Sequence, residues 1–313
     1  MKPGLRLVLL TLLWMGVGGC VSHRLSPEPH LRAHEEPWQI RPASMSTPTL
    51  NVMTINLAHG RGNGVHQALQ DGDRARENLD AVGALIRREK PQIVALQEAD
   101  APSAWSGSFD HVSYLAERTG LSWSLQVAHA EGAGLRYGTG LISGLPVADT
   151  GAYTFAPAAG TLPKGFSLVT VRWTDTGELV DVVSVHLEPL REAVRQQQTQ
   201  QFIAALADRG RPLVIMGDFN TEWGHDDGVL ETITRDLGLR AFAATAPDLG
   251  TFPRLDRRLD WILASADFEF ADYRVLPDPV SDHRVVVATL RARAQADQPI
   301  ARSPAETGDK DGM

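Results

Sequence analysis

A chain of 313 residues with a net charge of −8, 43% hydrophobic and 22% charged side chains, is long enough to bury a large core and ordinary enough in composition to fold as a globular protein. The acidic balance excludes a general polyanion binder. Cys20 is the single cysteine, which excludes an internal disulfide framework.

Lys2 and Arg6 flank the start of an apolar run, Leu7 to Trp14 broken only by Thr11, and Val17-Gly18-Gly19 lead into Cys20. That order is a secretory signal, with an apolar segment short for a bilayer span. The small residues before the lone cysteine resemble the bacterial lipoprotein lipobox. This implies cleavage after residue 19, lipid on Cys20, and an exported protein anchored to a membrane on the periplasmic side or at the cell surface. Plain signal cleavage and an uncleaved anchor are the alternatives. Residues 20–47 hold Pro27, Pro29, Pro37 and Pro42 and read as a tether. Residues 295–313, rich in Asp, Gln, Pro and Gly, read as a disordered tail. One domain remains, 48–294, expected to be monomeric.

Within it, Leu50 to Asn56 alternates as a strand, and Leu57 to Asp73 is Gly-rich and loop-like. Arg74 to Lys90 places Leu79, Val82, Leu85 and Ile86 at helical spacing before Pro91. Ile93 to Leu96 is a buried strand ending at Gln97-Glu98. His111 to Thr119 is a helix closed by Gly120, and Trp123 to Ala128 a strand. Strands follow at Tyr137 to Ser143, Pro146 to Tyr153, Ser167 to Trp173 and Leu179 to His186, the last two joined as a hairpin through Asp175-Thr176-Gly177. Leu190 to Ala207 is a Gln-rich helix, Leu213 to Met216 a buried strand that stops at Gly217-Asp218-Phe219-Asn220, and Asp227 to Leu237 a short helix. Trp261 to Leu263, Phe268 to Leu276 and Arg284 to Leu290 are late strands. Helices interspersed with hairpin-linked strands predict an α/β fold in which two mixed, largely antiparallel sheets pack face to face with helices outside.

Polar residues recur at the strand ends. Asn56, Glu98, His186 and Asp218 close apolar strands, while Asp260, Asp282 and His283 stand just before strands begin. In a mixed sheet, the start of one strand lies beside the end of an antiparallel neighbour, so all seven can share one rim. Glu98, Asn56 and Asp282 are hard oxygen donors suited to Mg2+ or Mn2+. Asp282 and His283 are neighbours and diverge on an extended backbone, so a remote carboxylate, Asp260, is the candidate to orient His283 and keep it protonated. Singly, each has an ordinary explanation as a turn former, a surface charge or a satisfied buried histidine; together they require seven coincidences.

Asn56, Leu96-Gln97-Glu98, Ser184-Val185-His186, Gly217-Asp218-Phe219-Asn220, Leu259-Asp260-Trp261-Ile262 and Ser281-Asp282-His283 occur in this order across nearly the whole domain. In this ordered set the chain resembles the endonuclease/exonuclease/phosphatase superfamily, with its deoxyribonuclease-I-like four-layer α/β/β/α sandwich. The resemblance implies a phosphodiesterase in which Glu98 binds the metal, with Asn56 and Asp282 in or beside its coordination sphere. It implies that Asp218 activates the attacking water with Asn220 fixing the geometry, that His186 and His283 hold phosphate oxygens, and that Asp260 orients His283. Tyr137 would donate to phosphate, and Arg258 and Phe252 would line the substrate cleft. Many members carry an acidic or amide residue two after the Asn where this chain has Ala58, which weakens a second tightly held metal. His59, His225 and Asp226 have no counterpart and read as ordinary loop residues.

The substrate expectation is a phospholipid or small phosphodiester, since the domain is acidic and Lys scarce; an exported nuclease using Arg74, Arg76, Arg87, Arg88, Arg136, Arg254, Arg257 and Arg258 on a nucleic-acid backbone is the alternative. The Asp-x-His and Gly-Asn-His motifs of a two-metal phosphoesterase occur in no convincing place. A catalytically dead binding module would have lost a central residue, and the set is complete.

Overall fold

The structure is a computed structural model that describes residues 27–34, 49–64, 72–132, 134–173 and 177–293. The signal segment, Cys20, most of the tether and the tail lie outside the described residues. In chain order the elements are β1 (His30–Ala33), β2 (Thr49–Asn56), α1 (Gly72–Glu89), β3 (Ile93–Asp100), α2 (His111–Thr119), β4 (Trp123–Gly132), β5 (Leu135–Ser143), β6 (Val147–Thr154), β7 (Gly165–Arg172) and β8 (Leu179–His186). There follow α3 (Glu192–Leu206), β9 (Leu213–Asp218), α4 (Val229–Asp236), β10 (Leu239–Ala241), β11 (Asp260–Ser265), β12 (Phe268–Val275) and β13 (Val286–Ala292).

The strands form a first sheet of order β1-β4-β5-β3-β2-β13-β12 and a second of order β10-β11-β9-β8-β7-β6. Among the described residues, only the central pairs β2–β3 and β8–β9 are parallel. Three apolar clusters mark four layers. One lies between the sheets and includes Val52, Val127, Val182 and Met216. A second packs α1 and α2 on the first sheet through Leu79, Val82, Leu85, Ile86, Val112 and Leu115. The third packs α3 and α4 on the second sheet through Phe202, Leu206, Leu230 and Ile233. The four α1 residues whose spacing predicted a helix are the ones that pack. Helix α2 forms where expected because Asp110 accepts from Ser113 N at its start and Gly120, at φ 72°, closes it.

Two expectations change. Four residues of the presumed tether are a strand: β1 pairs antiparallel with β4, His30 opposite Gln126 and Ala33 opposite Trp123. Its residues are exposed, as an edge strand allows, so no alternation marked it. Strand β3 also runs four residues past Leu96. It continues through a bulge, with the register against β5 shifting between Gln97 and Ala99, and Glu98 there has φ +47°.

Towards the site, the space between the sheets turns polar. Gln97 Nε2 donates to Ser184 Oγ at 2.9 Å, and Ser184 Oγ donates to Leu96 O at 2.9 Å. His129 spans the two sheets, with Nδ1 and Nε2 each 2.9 Å from a threonine hydroxyl, Thr154 on β6 and Thr139 on β5. Burial first, and Lys164 second, hold His129 down at a pKa of about 3, so it is neutral.

Candidate active site

Ladder register alone assembles half of the pocket. His186 pairs with Asp218 across β8–β9, and Asp218 pairs with Asp260 across β9–β11. Residues directly opposite on a ladder share a face, so three chemically active side chains stand in a row at one end of the second sheet. Gly217 makes this close approach possible. It has φ +151°, and a Cβ there would lie 2.0 Å from Val185 O.

Asp218 is fixed at both oxygens. Oδ1 accepts from Asn220 N at 3.0 Å and Oδ2 from Asn56 Nδ2 at 3.0 Å. The Asn56 bond crosses from the first sheet. Asn220, at φ +54°, sends its own amide to Leu187 O at 3.0 Å and so ties the turn after β9 to the end of β8. His283 Nδ1 lies 2.8 Å from Asp260 Oδ2, and its Nε2 lies 3.8 Å from Asp218 Oδ2. His186 Nε2 is 3.5 Å from Asp218 Oδ2 and 4.0 Å from Glu98 Oε1. Phe252 packs on His283 with ring centroids 4.9 Å apart.

Burial and charge divide the protons. Burial pushes the Asp218 carboxyl up, and the Asp260 and Glu98 carboxylates add to it against His283 and Asn56. Burial alone would lower His283, but Asp260 and Asp218 outweigh it and raise its pKa to about 10. Asp218, Asp260 and His283 bring ligand atoms within 4.8 Å of one another, and with His283 protonated they form a hydrogen-bonded acid–base set. Burial and then Lys164 hold His186 well below its usual value, hence neutral. Burial, with Glu98 and Asp100 beside it, keeps the Tyr137 phenol protonated.

Across the pocket stands Glu98. Burial would raise its carboxyl, but His59, Lys164, His186 and Arg61 together hold it well below the usual carboxylate range. Glu98 is therefore an ionised hard donor. Asn56 Oδ1 accepts from Ala58 N at 2.9 Å and keeps a second lone pair. These two oxygens fit a divalent ion such as Mg2+ or Mn2+. Asp282 is joined to Glu98 through Arg61, whose Nη2 donates to Asp282 Oδ2 at 2.5 Å and whose Nη1 lies 3.9 Å from Glu98 Oε2, and Arg254 lies 3.7 Å from Asp282.

The sequence pattern of the endonuclease/exonuclease/phosphatase family matches residues 53–283, a span that contains this whole pocket. The chain belongs to this family. Its members are hydrolases acting on phosphate esters. None of the curated proteins matches the sequence. Among solved structures, the endonuclease/exonuclease/phosphatase of Beutenbergia cavernae is 23% identical with a TM-score of 0.59, over 78% of this chain and 72% of that one. A mannosyl-6-phosphatase of Bacteroides thetaiotaomicron is 16% identical with a TM-score of 0.57, over 77% and 99%. The catalytic domain of human Nocturnin, bound to sulfate, is 20% identical with a TM-score of 0.56, over 80% and 99%. At these identities the likeness is one of fold.

For this family member, the pocket unites Asn56, Glu98, Tyr137, His186, Asp218, Asn220, Asp260, Asp282, His283 and Phe252. It does not include Arg258. That guanidinium is buried 3.7 Å over the Trp261 ring and donates to Ala243 O, Phe242 O and Tyr273 Oη. Its hydrogen bonds hold the loop before β11, so the expectation that it lines the cleft is corrected. His225 lies beside Asp227 and Glu192, away from the pocket, as an ordinary loop residue should. His59, read the same way, lies within the pocket, with Arg61 and Lys164. Lys164 Nζ is 3.1 and 3.2 Å from the two ring nitrogens of His186. Lys164 was findable from the β7–β8 hairpin, since the next residue, Gly165, pairs with His186.

Proposed function

We propose that the protein is a divalent-metal-dependent phosphodiesterase that attacks phosphorus with water and acts on phospholipid head groups at a membrane surface. One observation carries the chemistry. A buried carboxylate, Asp218, and a buried imidazolium, His283, face each other 3.8 Å apart, each fixed from behind by its own partner.

Asp218 takes the proton of the attacking water as the new P–O bond forms, the P–O bond to the ester oxygen breaks, and the departing alkoxide takes a proton from solvent. Its desolvated carboxylate is a better base than an exposed one, and Asn56 and Asn220 hold it in a single orientation. His283, kept charged by Asp260, holds a phosphoryl oxygen as negative charge builds there. Tyr137, protonated, and Lys164 offer further donors on the two flanks. Glu98 with Asn56 would hold a divalent ion, which would supply Lewis-acid chemistry at the phosphate. Asp282 fixes Arg61 at the pocket edge.

The lipid assignment is supported by the rim. Leu190, 80% exposed, stands four residues after His186, and Leu255, 55% exposed, three after Phe252. The loop 156–163 is uncharged, and Arg191 joins it to the Leu190 loop through Ala159 O. Apolar tips flanked by Arg191 and Arg254 suit the headgroup region of a bilayer. Of the eight arginines available to track a nucleic acid, Arg258 is buried over Trp261, and four others have partners on the protein: Arg88 with Asp278, Arg136 with Glu131, Arg257 with Glu222 and Arg76 over Phe109. A lipid on Cys20, with export to the periplasmic side or cell surface, belongs to the same proposal.

The test is a substrate panel with Mg2+, Mn2+ or a chelator: sphingomyelin and phosphatidylcholine vesicles, phosphoinositides, a sugar phosphate, DNA, RNA and a soluble phosphodiester. Head-group release from vesicles is expected, and a Leu190→Ser/Leu255→Ser variant should lose several-fold on vesicles while keeping its rate on the soluble diester. Efficient DNA or RNA cleavage with intact lipid overturns the lipid assignment.

A further inference from the structure

The Glu98 side of the pocket contains a histidine that the steps above do not use. His59 is only 6% exposed, and its ring is fixed on several sides. Nδ1 lies 2.7 Å from Asp100 Oδ1. Asp100 is fully buried, and its other oxygen accepts from Trp105 Nε1 at 2.6 Å. The Trp105 and Tyr137 rings stand 4.7 and 4.8 Å from the imidazole centroid. Nε2 points to the pocket, 3.3 Å from Glu98 Oε2.

A carboxylate on one ring nitrogen, with the other nitrogen beside an ionised carboxylate, is how proteins aim an imidazole at a metal. Adjacent ligands of an octahedral ion, each at about 2.1 Å, lie about 3 Å apart. The separation of 3.3 Å therefore lets Nε2 and Oε2 bind one ion with little movement. The backbone is committed to this juxtaposition. Ala58, His59 and Glu98 have φ of 48°, 56° and 47°, in the left-handed region. Such residues cost on the order of 1–3 kcal/mol each and persist where the surroundings enforce them.

We propose that His59 Nε2 is a ligand of the divalent ion at Glu98, aimed by Asp100, giving the centre mixed nitrogen and oxygen coordination. This rests on the metal of the proposed function and goes beyond it by naming a ligand and a metal preference. Oxygen donors suit Mg2+, whereas imidazole suits the first-row transition ions, so the centre favours Mn2+ over Mg2+. A histidine that only holds Glu98 in place by a hydrogen bond would give no such preference.

Electron paramagnetic resonance of Mn2+ added to the metal-free full chain separates the two. The wild-type protein should bind one Mn2+ at this site and show nitrogen hyperfine coupling in pulsed spectra. His59→Gln should lose that coupling and bind Mn2+ at least ~10-fold more weakly, whereas His186→Gln should keep it. Thermal melts confirm that each variant is folded, and a wild-type spectrum without nitrogen coupling overturns the assignment whatever the variants do. Mn2+ bound through Glu98 with no nitrogen coupling, or with coupling that survives in His59→Gln, overturns the His59 assignment and leaves the metal in place. No Mn2+ binding by the wild type, or binding unchanged in Glu98→Gln, overturns both.

Discussion

The two sides of the pocket are built by opposite means. On the second sheet, His186, Asp218 and Asp260 are placed by regular pairing of β8, β9 and β11. On the first sheet, His59 and Glu98 are placed by irregular backbone, a left-handed turn after β2 and a bulge in β3. Regular pairing yields a rigid acid–base row. Irregular backbone turns side chains out of the ladder to face one another, at a cost in strain. The proposed chemistry divides along the same line, with proton transfer and charge stabilisation on the second sheet and metal holding on the first.

The largest effect should come from the second-sheet row. Asp218→Asn is expected to lower kcat by ~10³-fold or more, as loss of a positioned base does. It also removes a carboxylate that burial disfavours, so the melting temperature should hold or rise. A fall in melting temperature alongside kcat would assign Asp218 a structural role. Asp260→Asn should cost less, ~10²-fold in kcat, because His283 remains in place but is no longer held protonated. In that variant, activity should fall on the alkaline side of neutrality, where the wild type still holds His283 charged. A pH–rate profile identical in shape to the wild type would contradict the pairing.

His129 joins the sheets beneath both sides and allows a test of the frame itself. Its folded pKa, about 3, is below the value of about 6.5 expected when unfolded. The unfolded chain therefore binds more protons between these values. The stabilisation is full above pH 6.5 and is lost as pH falls from there towards 3. Between pH 6.5 and 4.5 this amounts to about 2–3 kcal/mol, at about 1.4 kcal/mol per pH unit. Urea unfolding at the two pH values should show that loss in the wild type and a correspondingly smaller one in His129→Gln. Equal losses would mean that other groups dominate. The smallest effect concerns first-sheet strain. Ala58→Gly at φ 48° should stabilise by about 1 kcal/mol, with a higher urea midpoint. No change would mean that this turn stores no strain.

The same division explains what could be foreseen. Asp218 and His186 were legible because an apolar run ending in a polar residue is a strand with a functional tip, and Asp260 because it stands where a later strand begins. Their meeting needed only neighbouring strands. His59 was hidden because periodicity says nothing about residues in left-handed turns, although Asp100, two after Glu98, was a usable hint. Arg258 misled because the family resemblance placed it at the cleft, whereas its guanidinium packs over the Trp261 ring and is spent on the loop before β11. The edge strand β1 was missed because an exposed strand has no buried face to produce alternation.

The most direct measurement is phosphodiester hydrolysis by the purified protein after chelation, followed by return of Mn2+ or Mg2+, in wild type and Asp218→Asn side by side. Hydrolysis should vanish with chelator and return with metal in the wild type, and stay ~10³-fold lower in the variant under every condition. Hydrolysis that persists in the chelator, or a variant within tenfold of wild type, would contradict the account.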